Sequence, residues 1–419
     1  MLSLIDCQAS VAPCIYSPYT IYILKPKSRR FVTTKKNSAV SVFTAAGLNS
    51  KVVNSIARKT GFSKRGGGKI DATDFITHFC AESTRGTVSN NDLAATLNSE
   101  TDVSVSRQAC WDRIDNECLL FFQAILEVLI LSKLEKKTRT LCPFFKRILI
   151  QDSTIIQLPA RLFDAFSGVK NATTTTCNAR IQGIYDLCSG RFTHFSIDPY
   201  SKNDLSVASD IQTEPGDLII RDRGYFIIGT MVEKKQNGAD TISRYKHKTL
   251  FYDVQTKEEI DLLDILTRHG EVDMFVLAGT NMDMQVRLLA KPVSEEVANM
   301  RRMKAKKENK RFTLSKEVLA LMSWAIFITT IENIAITITE IMNLYGLRWR
   351  IENIFKTWKS YFNFAKIHQV SEIHLRILLT ARLIMISICF HNAYVPMCDA
   401  IRCHTSKQLS MMKFMRYIL

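Results

Sequence analysis

The feature that most constrains the fold is a change of hydrophobic period near Phe144. From about 38 to 136 the apolar residues recur at helical spacing, in short pieces parted by polar turns. From 144 the period drops toward two, and 144–158 reads as a buried strand that meets Asp152 and continues past it. The runs 181–186 and 191–197 are also strand-like, and Cys188, Ser189 and Gly190 join them as a hairpin signal. A further apolar run, 217–222, ends on Asp222 and is followed by Arg223 and Gly224. Strand-like pieces mix with a dense basic stretch, 301–311, between about 235 and 325. One long amphipathic helix is predicted over 341–364, then an apolar helix around 374–392 and a short basic tail. The first 35 or so residues show no clear period, and no internal repeat is found.

The helix beginning at Tyr345 has two distinct faces. At about 100° per residue, with Tyr345 at zero, Arg348, Glu352 and Lys359 fall with it inside an arc of about 60°. Leu347, Ile351, Ile354, Phe355, Trp358 and Phe362 occupy an adjacent stripe suited to a core. Such a polar stripe also suits a solvated face, in which Arg348 and Glu352, four residues apart, pair for a few tenths of a kcal/mol. Asp152 and Asp222 bear on that choice. Each interrupts or ends an apolar strand, where an unpaired carboxylate costs several kcal/mol to bury. Edge or turn positions would account for either one alone. Two such strands and an acidic helix face are also what a pair of divalent ions needs, since hard cations take oxygen ligands and two of them can serve phosphodiester cleavage.

Charge fits that chemistry without proving it. The 419 residues carry a formal charge of +16, which favours a polyanionic partner because each neutralised phosphate releases counterions. Eleven scattered cysteines include no pair at C-x-x-C spacing, and the eight histidines do not fall near them at zinc-ligand spacing. Cys80, Cys118 and Cys389 stand beside apolar residues, as reduced thiols of a cytosolic protein do. The N-terminal stretch makes a poor signal peptide, having no basic start and carrying Asp6. The apolar run 377–390 is interrupted by Arg382 and falls short of the ~20 residues of a membrane span, so it is expected to be a buried helix.

Two short patterns in the first part bear cations. One is the glycine-rich turn region containing Arg58, Lys64 and Arg65; the other is the start of a helix that Ser104 or Ser106 would cap, at Arg107. Short helices joined by tight turns, with serine and arginine opening the second, suit a helix-turn-helix DNA reader or an ordinary small bundle.

Tyr345, Arg348, Glu352 and Lys359, at spacings of three, four and seven, resemble the signature of the insertion-sequence-four type transposases, which are bacterial DDE transposases. Gln151, Asp152, Ser153 and Thr154 are similar to the family's first aspartate motif, and the run from Arg221 through Asp222 to Phe226 to its second. The resemblance covers about 50 to 370. It implies an α/β fold with a ribonuclease H-like catalytic core, an inserted β-rich segment and an N-terminal helical DNA-binding domain. The division that follows is 1–35 unassigned, 36–140 helical and DNA-binding, 141–234 and 325–395 the two parts of the core, 235–324 the insertion and 396–419 a tail. Asp152, Asp222 and Glu352 would hold two Mg²⁺ or Mn²⁺ ions as the catalytic triad. Arg348 and Lys359 would grip transposon-end phosphates, and Tyr345 would position the backbone.

The implied reaction is cleavage at terminal inverted repeats, which frees a 3′-OH that is then joined to target DNA, typically through a hairpin. The expected partners are transposon-end and target double-stranded DNA and a second copy of the chain, without a membrane; the expected location is the bacterial cytoplasm, on the nucleoid. A ribonuclease H-like nuclease that does not join, or an inactive DNA-binding remnant, would share much of this pattern. Trp324 ends the inserted segment and is expected to serve the core rather than to stack a flipped base.

Overall fold

The computed structural model describes residues 38–64, 69–86, 88–101, 103–131, 143–170, 175–202, 211–308, 313–405 and 407–418. Six helices come first: α1 (Ser38–Ala45), α2 (Ser50–Lys59), α3 (Ala72–Arg85), α4 (Asn90–Glu100), α5 (Arg107–Trp111) and α6 (Asn116–Leu131). Their starts are written locally. Asn49, Asp71, Ser89 and Ser106 each accept a hydrogen bond from a backbone N–H two or three residues on, which satisfies donors the helix leaves orphaned. Phenylalanines tie the bundle together: Phe62 stacks on Phe121 at 4.7 Å and Phe79 meets Phe122 edge-on at 5.3 Å. Two details depart from expectation. Arg58 lies in the last turn of α2 rather than in the glycine-rich turn after it. The helix opened by Ser106 is only five residues long, so the second member of the anticipated helix pair is little more than one turn.

The sheet follows: β1 (Arg147–Gln157), β2 (Ser167–Lys170), β3 (Thr175–Asp186), β4 (Arg191–Pro199), β5 (Asp217–Arg221), α7 (Ile228–Gln236), β6 (Asp240–Arg244), β7 (Phe251–Tyr252), α8 (Leu262–His269), β8 (Val272–Ala278), β9 (Met284–Pro292), α9 (Glu295–Glu308), α10 (Lys316–Leu321) and β10 (Trp324–Thr329). These ten strands make one sheet, in the order β2-β3-β1-β5-β6-β10-β9-β8-β7, with β4 also paired to β3. The pairs β1–β5 and β5–β6 are parallel and the rest antiparallel, which makes the architecture mixed α/β. The strands between 235 and 324 thus extend the same sheet rather than forming another, β6 beside β5 and β7–β9 through β10.

Two large cores serve this sheet, and a smaller cluster of Leu149, Ile184, Ile211, Ile219 and Ala239 adds to them. One runs from Phe43 in α1 through Ile148, Ile150 and Ile220 to Trp358 and Met415. The other packs Phe226, Phe251, Leu266, Val276 and Leu288 under the far end of the sheet. Cys80, Cys118 and Cys389 are free thiols buried in the first core.

The C-terminal elements are α11 (Ile338–Gly346), α12 (Trp349–Tyr361), α13 (Glu372–Cys389), a π turn at Phe390–Tyr394, α14 (Val395–Thr405) and α15 (Met411–Ile418). The single helix predicted over 341–364 is therefore two. At the joint the N–H of Leu347 donates to Leu344 and that of Arg348 to Tyr345, both at 3.0 Å. Bonds reaching back three residues wind the chain to about 120° per residue instead of 100°. Tyr345 still faces Arg348 across this joint, but not on a solvated surface. It is 8% exposed and sits edge-on to Phe327 at 5.0 Å.

Helix α13, with its continuation to Thr405, is long and apolar enough to cross a membrane by length and composition, yet most of it is buried inside the protein. Arg382 shows why it lies there. Its guanidinium donates to the carbonyls of Ser83, Gly86, Phe364 and Lys366, so a fully buried cation stitches the end of α3 to the core.

Candidate active site

The two aspartates are brought together by strand register. Arg147 and Asp217 are paired across β1 and β5 and bonded fork to fork at 2.8 and 2.6 Å, which pins the alignment at one end. The parallel ladder then runs Ile148 with Leu218 and Ile150 with Ile220 to Gln151 with Arg221. One step further puts Asp152 opposite Asp222. Side chains alternate across a sheet, so both aspartates share the face of Ile148, Ile150, Leu218 and Ile220, which belong to the large core. The sequence carried a sign of this: three apolar residues, one long polar residue, then aspartate, at 148–152 and again at 218–222.

Helix α12 supplies the third carboxylate. Its apolar stripe buries Ile351, Ile354, Phe355 and Trp358. Phe355 lies over β3 at Gly183, where an added Cβ would come within 3.2 Å of Phe192 and 3.4 Å of Phe355. The glycine therefore lets the helix sit close to the sheet, with Glu352 turned to Asp152. At their centre is Arg348, at the joint between α11 and α12. Its guanidinium is 2.6 Å from Glu352, 3.2 Å from Asp152 and 4.0 Å from Asp222. One cation thus gathers three acids that would otherwise repel one another.

Burial raises the Asp152 carboxyl to about 6, against the lowering effects of the Ser153 N–H and Arg348, with Asp222 and Glu352 raising it further. Burial works against the charge on Arg348, but Tyr345 and the three carboxylates outweigh it and its pKa is raised. Desolvation also lifts the Tyr345 hydroxyl to about 12. Lys359 donates to the carbonyl of Ile155 at 2.8 Å, three residues along β1 from Asp152, and burial lowers its pKa.

Three oxygen-donor acids converging on one positive charge suit a hard divalent cation. As they stand, no three acidic, histidine or cysteine side chains among the described residues close tightly enough to hold one, because the guanidinium fills the centre.

Sequence reasoning missed the surroundings of Asp222. A cavity of about 360 Å³ there is lined by Asp222, Arg223, Arg244, Arg301, Lys304 and Trp324. Arg301 is held by the carbonyls of Met322 and Trp324, and its pKa is lowered by burial and by Arg244. The basic run at 301–311 was the visible trace of this site. Trp324 donates its indole N–H to Gly270 at 3.0 Å. Trp349, another tryptophan near the site, is 56% exposed with Arg348 and Lys356 over its ring.

The N-terminal cations lie elsewhere. Arg58 ends α2, Lys64 reaches Glu117 of α6 at 3.4 Å, and Arg107 opens α5. Arg65 lies outside the described residues.

Comparison with known proteins gives a consistent result. Residues 143–388 match the model of the transposase DDE domain. The chain is 30% identical over 370 residues to the transposase for insertion sequence element IS231B of Bacillus thuringiensis subsp. berliner, covering 82% of this chain and 77% of that one. It is 27% identical over 350 residues to the transposase for insertion sequence element IS1151 of Clostridium perfringens, covering 77% and 73%. Among solved structures, the piggyBac transposase synaptic complex with hairpin DNA is similar at a TM-score of 0.44 and 11% identity, over 90% of this chain and 78% of that one, a likeness too slight to bear on the fold.

Proposed function

The chain belongs to the transposase DDE domain family, and we propose that its Asp152, Asp222 and Glu352 are the carboxylates with which it cuts and joins DNA. It is a DNA transposase. The observation that carries the residue assignment is the gathering of these three acids, from β1, the end of β5 and α12, around Arg348.

The ribonuclease H-like reading of the core is supported by the strand order β4-β3-β1-β5-β6, antiparallel then parallel, with one acid on β1 and another just past the end of its parallel neighbour β5. Dependence on a divalent metal follows from the family in general; Mg²⁺ or Mn²⁺ suits the donor set, and two ions held by the triad are the finer proposal. Bound there, they would supply activation of the attacking oxygen and stabilisation of the leaving one. The remaining roles fall to the chain. Arg348 keeps the acids together and is placed to turn to a phosphate when they take a cation. Lys359 lies along β1 from Asp152, where it would hold the strand being cut. Tyr345, protonated at neutral pH, would steady Arg348 from below.

In this reading the substrate is the terminal inverted repeats of the chain's own element, the freed 3′-OH is joined to target DNA, and two copies act together. The helices of 38–131, carrying Arg58, Lys64 and Arg107, would contact the end outside the scissile region. The test is an assay with a duplex carrying the repeats that flank the coding sequence, target plasmid and Mn²⁺. Cleavage at the repeat boundary with a joined product is expected. Cutting at arbitrary sites with no joined product would instead indicate a nuclease.

A further inference from the structure

A second cavity, of about 340 Å³, opens between the helical region and the core. Two helices aim their N-terminal ends at it. Ser89, Asn90 and Asn91 begin the 11-residue α4, and Ser371 caps the 18-residue α13. Aligned peptide dipoles and unbonded N–H groups make such ends attractive to anions. Arg107, from the start of α5, and Arg161, from the short turn after β1, also line the cavity. Among the described residues neither arginine has a hydrogen bond or ion pair, and no carboxylate lines the cavity. The acids in the first turns of the two helices are engaged elsewhere: Asp92 accepts from Ser89, and Glu372 pairs with Arg376.

The strongest sign of a missing ligand is His374. It lines the cavity, is 4% exposed, and its Nε2 has no partner among the described residues. Buried ring nitrogens are ordinarily bonded, so this one calls for an explanation. Nδ1 of His368, its neighbour, is orphaned in the same way. Burial lowers the pKa of both, His374 to about 4, so neutral rings offer hydrogen bonds rather than charge.

We propose that this cavity is a phosphate-binding site that seats a backbone phosphate of duplex DNA, with Arg107 and Arg161 supplying the charge and His374 with the two helix ends supplying hydrogen bonds. The choice of DNA rests on the proposed action of the chain on DNA. Arg107 comes from the N-terminal helices and Arg161 from the loop that follows the strand of Asp152. One phosphate held by both would fix the helical region and the catalytic face on the same duplex. Trp111, 51% exposed at the rim, gives the adjoining sugar an apolar surface.

The test uses the full chain, its double variant Arg107→Gln/Arg161→Gln, and a duplex of arbitrary sequence without metal. Neutralising each phosphate-binding arginine should lower the salt slope by about one, so that between about 50 and 200 mM salt the variant loses roughly 3- to 4-fold less affinity per arginine than the wild type. Inorganic phosphate should shift the ring signals of His368 and His374 in nitrogen-labelled wild type and not in the variant. An unchanged salt slope in a folded double variant overturns the proposal. A histidine shift with an unchanged DNA slope overturns it too, since the cavity would then serve free phosphate. Neither readout involves cleavage, so failure of the joining assay would count against the proposed cut-and-join reaction alone.

Discussion

Nη1 of Arg348 lies 3.2 Å from Oδ2 of Asp152, between residues 196 positions apart, and Nη2 of the same guanidinium lies 2.6 Å from Glu352. Without a metal ion, this cation is what keeps the acids in one place. Arg348→Ala should therefore destabilise the metal-free protein by about 1.5–3 kcal/mol, the worth of hydrogen bonds to charged groups. Mn²⁺ should restore part of the loss. Urea unfolding with chelator and then with Mn²⁺ checks this; equal stability of variant and wild type under chelator would show that the guanidinium holds nothing.

Replacing Asp152, Asp222 or Glu352 by alanine should lower cleavage at the repeat ends at least about a hundredfold, since loss of metal-borne charge stabilisation is worth several kcal/mol. Binding to the ends should change little. Wild-type cleavage by any one of the three would remove that residue from the triad.

Asp152 makes stability depend on pH in a stated direction. Its carboxyl stands at about 6 in the fold against an ordinary 3.8, so the folded state binds the extra proton between those values. Stability of the metal-free protein should fall as pH rises from about 4 to 6. Asp152→Asn should remove that fall and be the more stable form above pH 6, by up to about 3 kcal/mol, and should match the wild type below pH 4. Thermal unfolding across pH with chelator measures it; parallel curves would contradict the raised value.

Lys359→Ala should lower the salt slope of end binding by about one, while Lys359→Arg should keep it. Its amine reaches the carbonyl of Ile155 at the surface beside β1, within range of a strand seated on the triad. A slope unmoved by the alanine variant would leave Lys359 a purely structural role.

Arg382→Met would leave the carbonyls of Ser83, Gly86, Phe364 and Lys366 facing an apolar side chain in a dry interior. A cost of about 3–5 kcal/mol is expected, typical of stripping a buried polar network of one partner. Hydrogen exchange should quicken first around 83–86 and 364–366. A variant as stable as wild type would mean those carbonyls find other donors.

Much of the site could be read locally. The apolar runs around 148–150 and 218–220 announced buried strands, and an aspartate two places beyond each had to be paired or functional. The apolar stripe of α12 likewise placed Glu352 off the core. The break of the helix at Leu347 and Arg348, wound by bonds three residues apart, could not be read that way, nor could the burial of Tyr345. Packing of Tyr345 on Phe327, some twenty positions earlier, belongs to the tertiary fold. The arginines around Asp222 come from β6, α9 and the turn after β5, and no local pattern joins them.

The sequence by itself determined the buried strands that carry Asp152 and lead to Asp222, the apolar face of α12, and which acids stand where apolar patterning disfavours them, because these depend on side-chain period and on neighbours within a turn or two. Only the tertiary structure decided that Asp152 stands beside Asp222, that both meet Glu352 across Arg348, and that Arg107 shares a cavity with Arg161. Those pairings depend on strand register, on how close Gly183 lets α12 approach the sheet, and on a helix joint set by packing. Each is a distance between residues far apart in the chain, fixed only when the whole core closes.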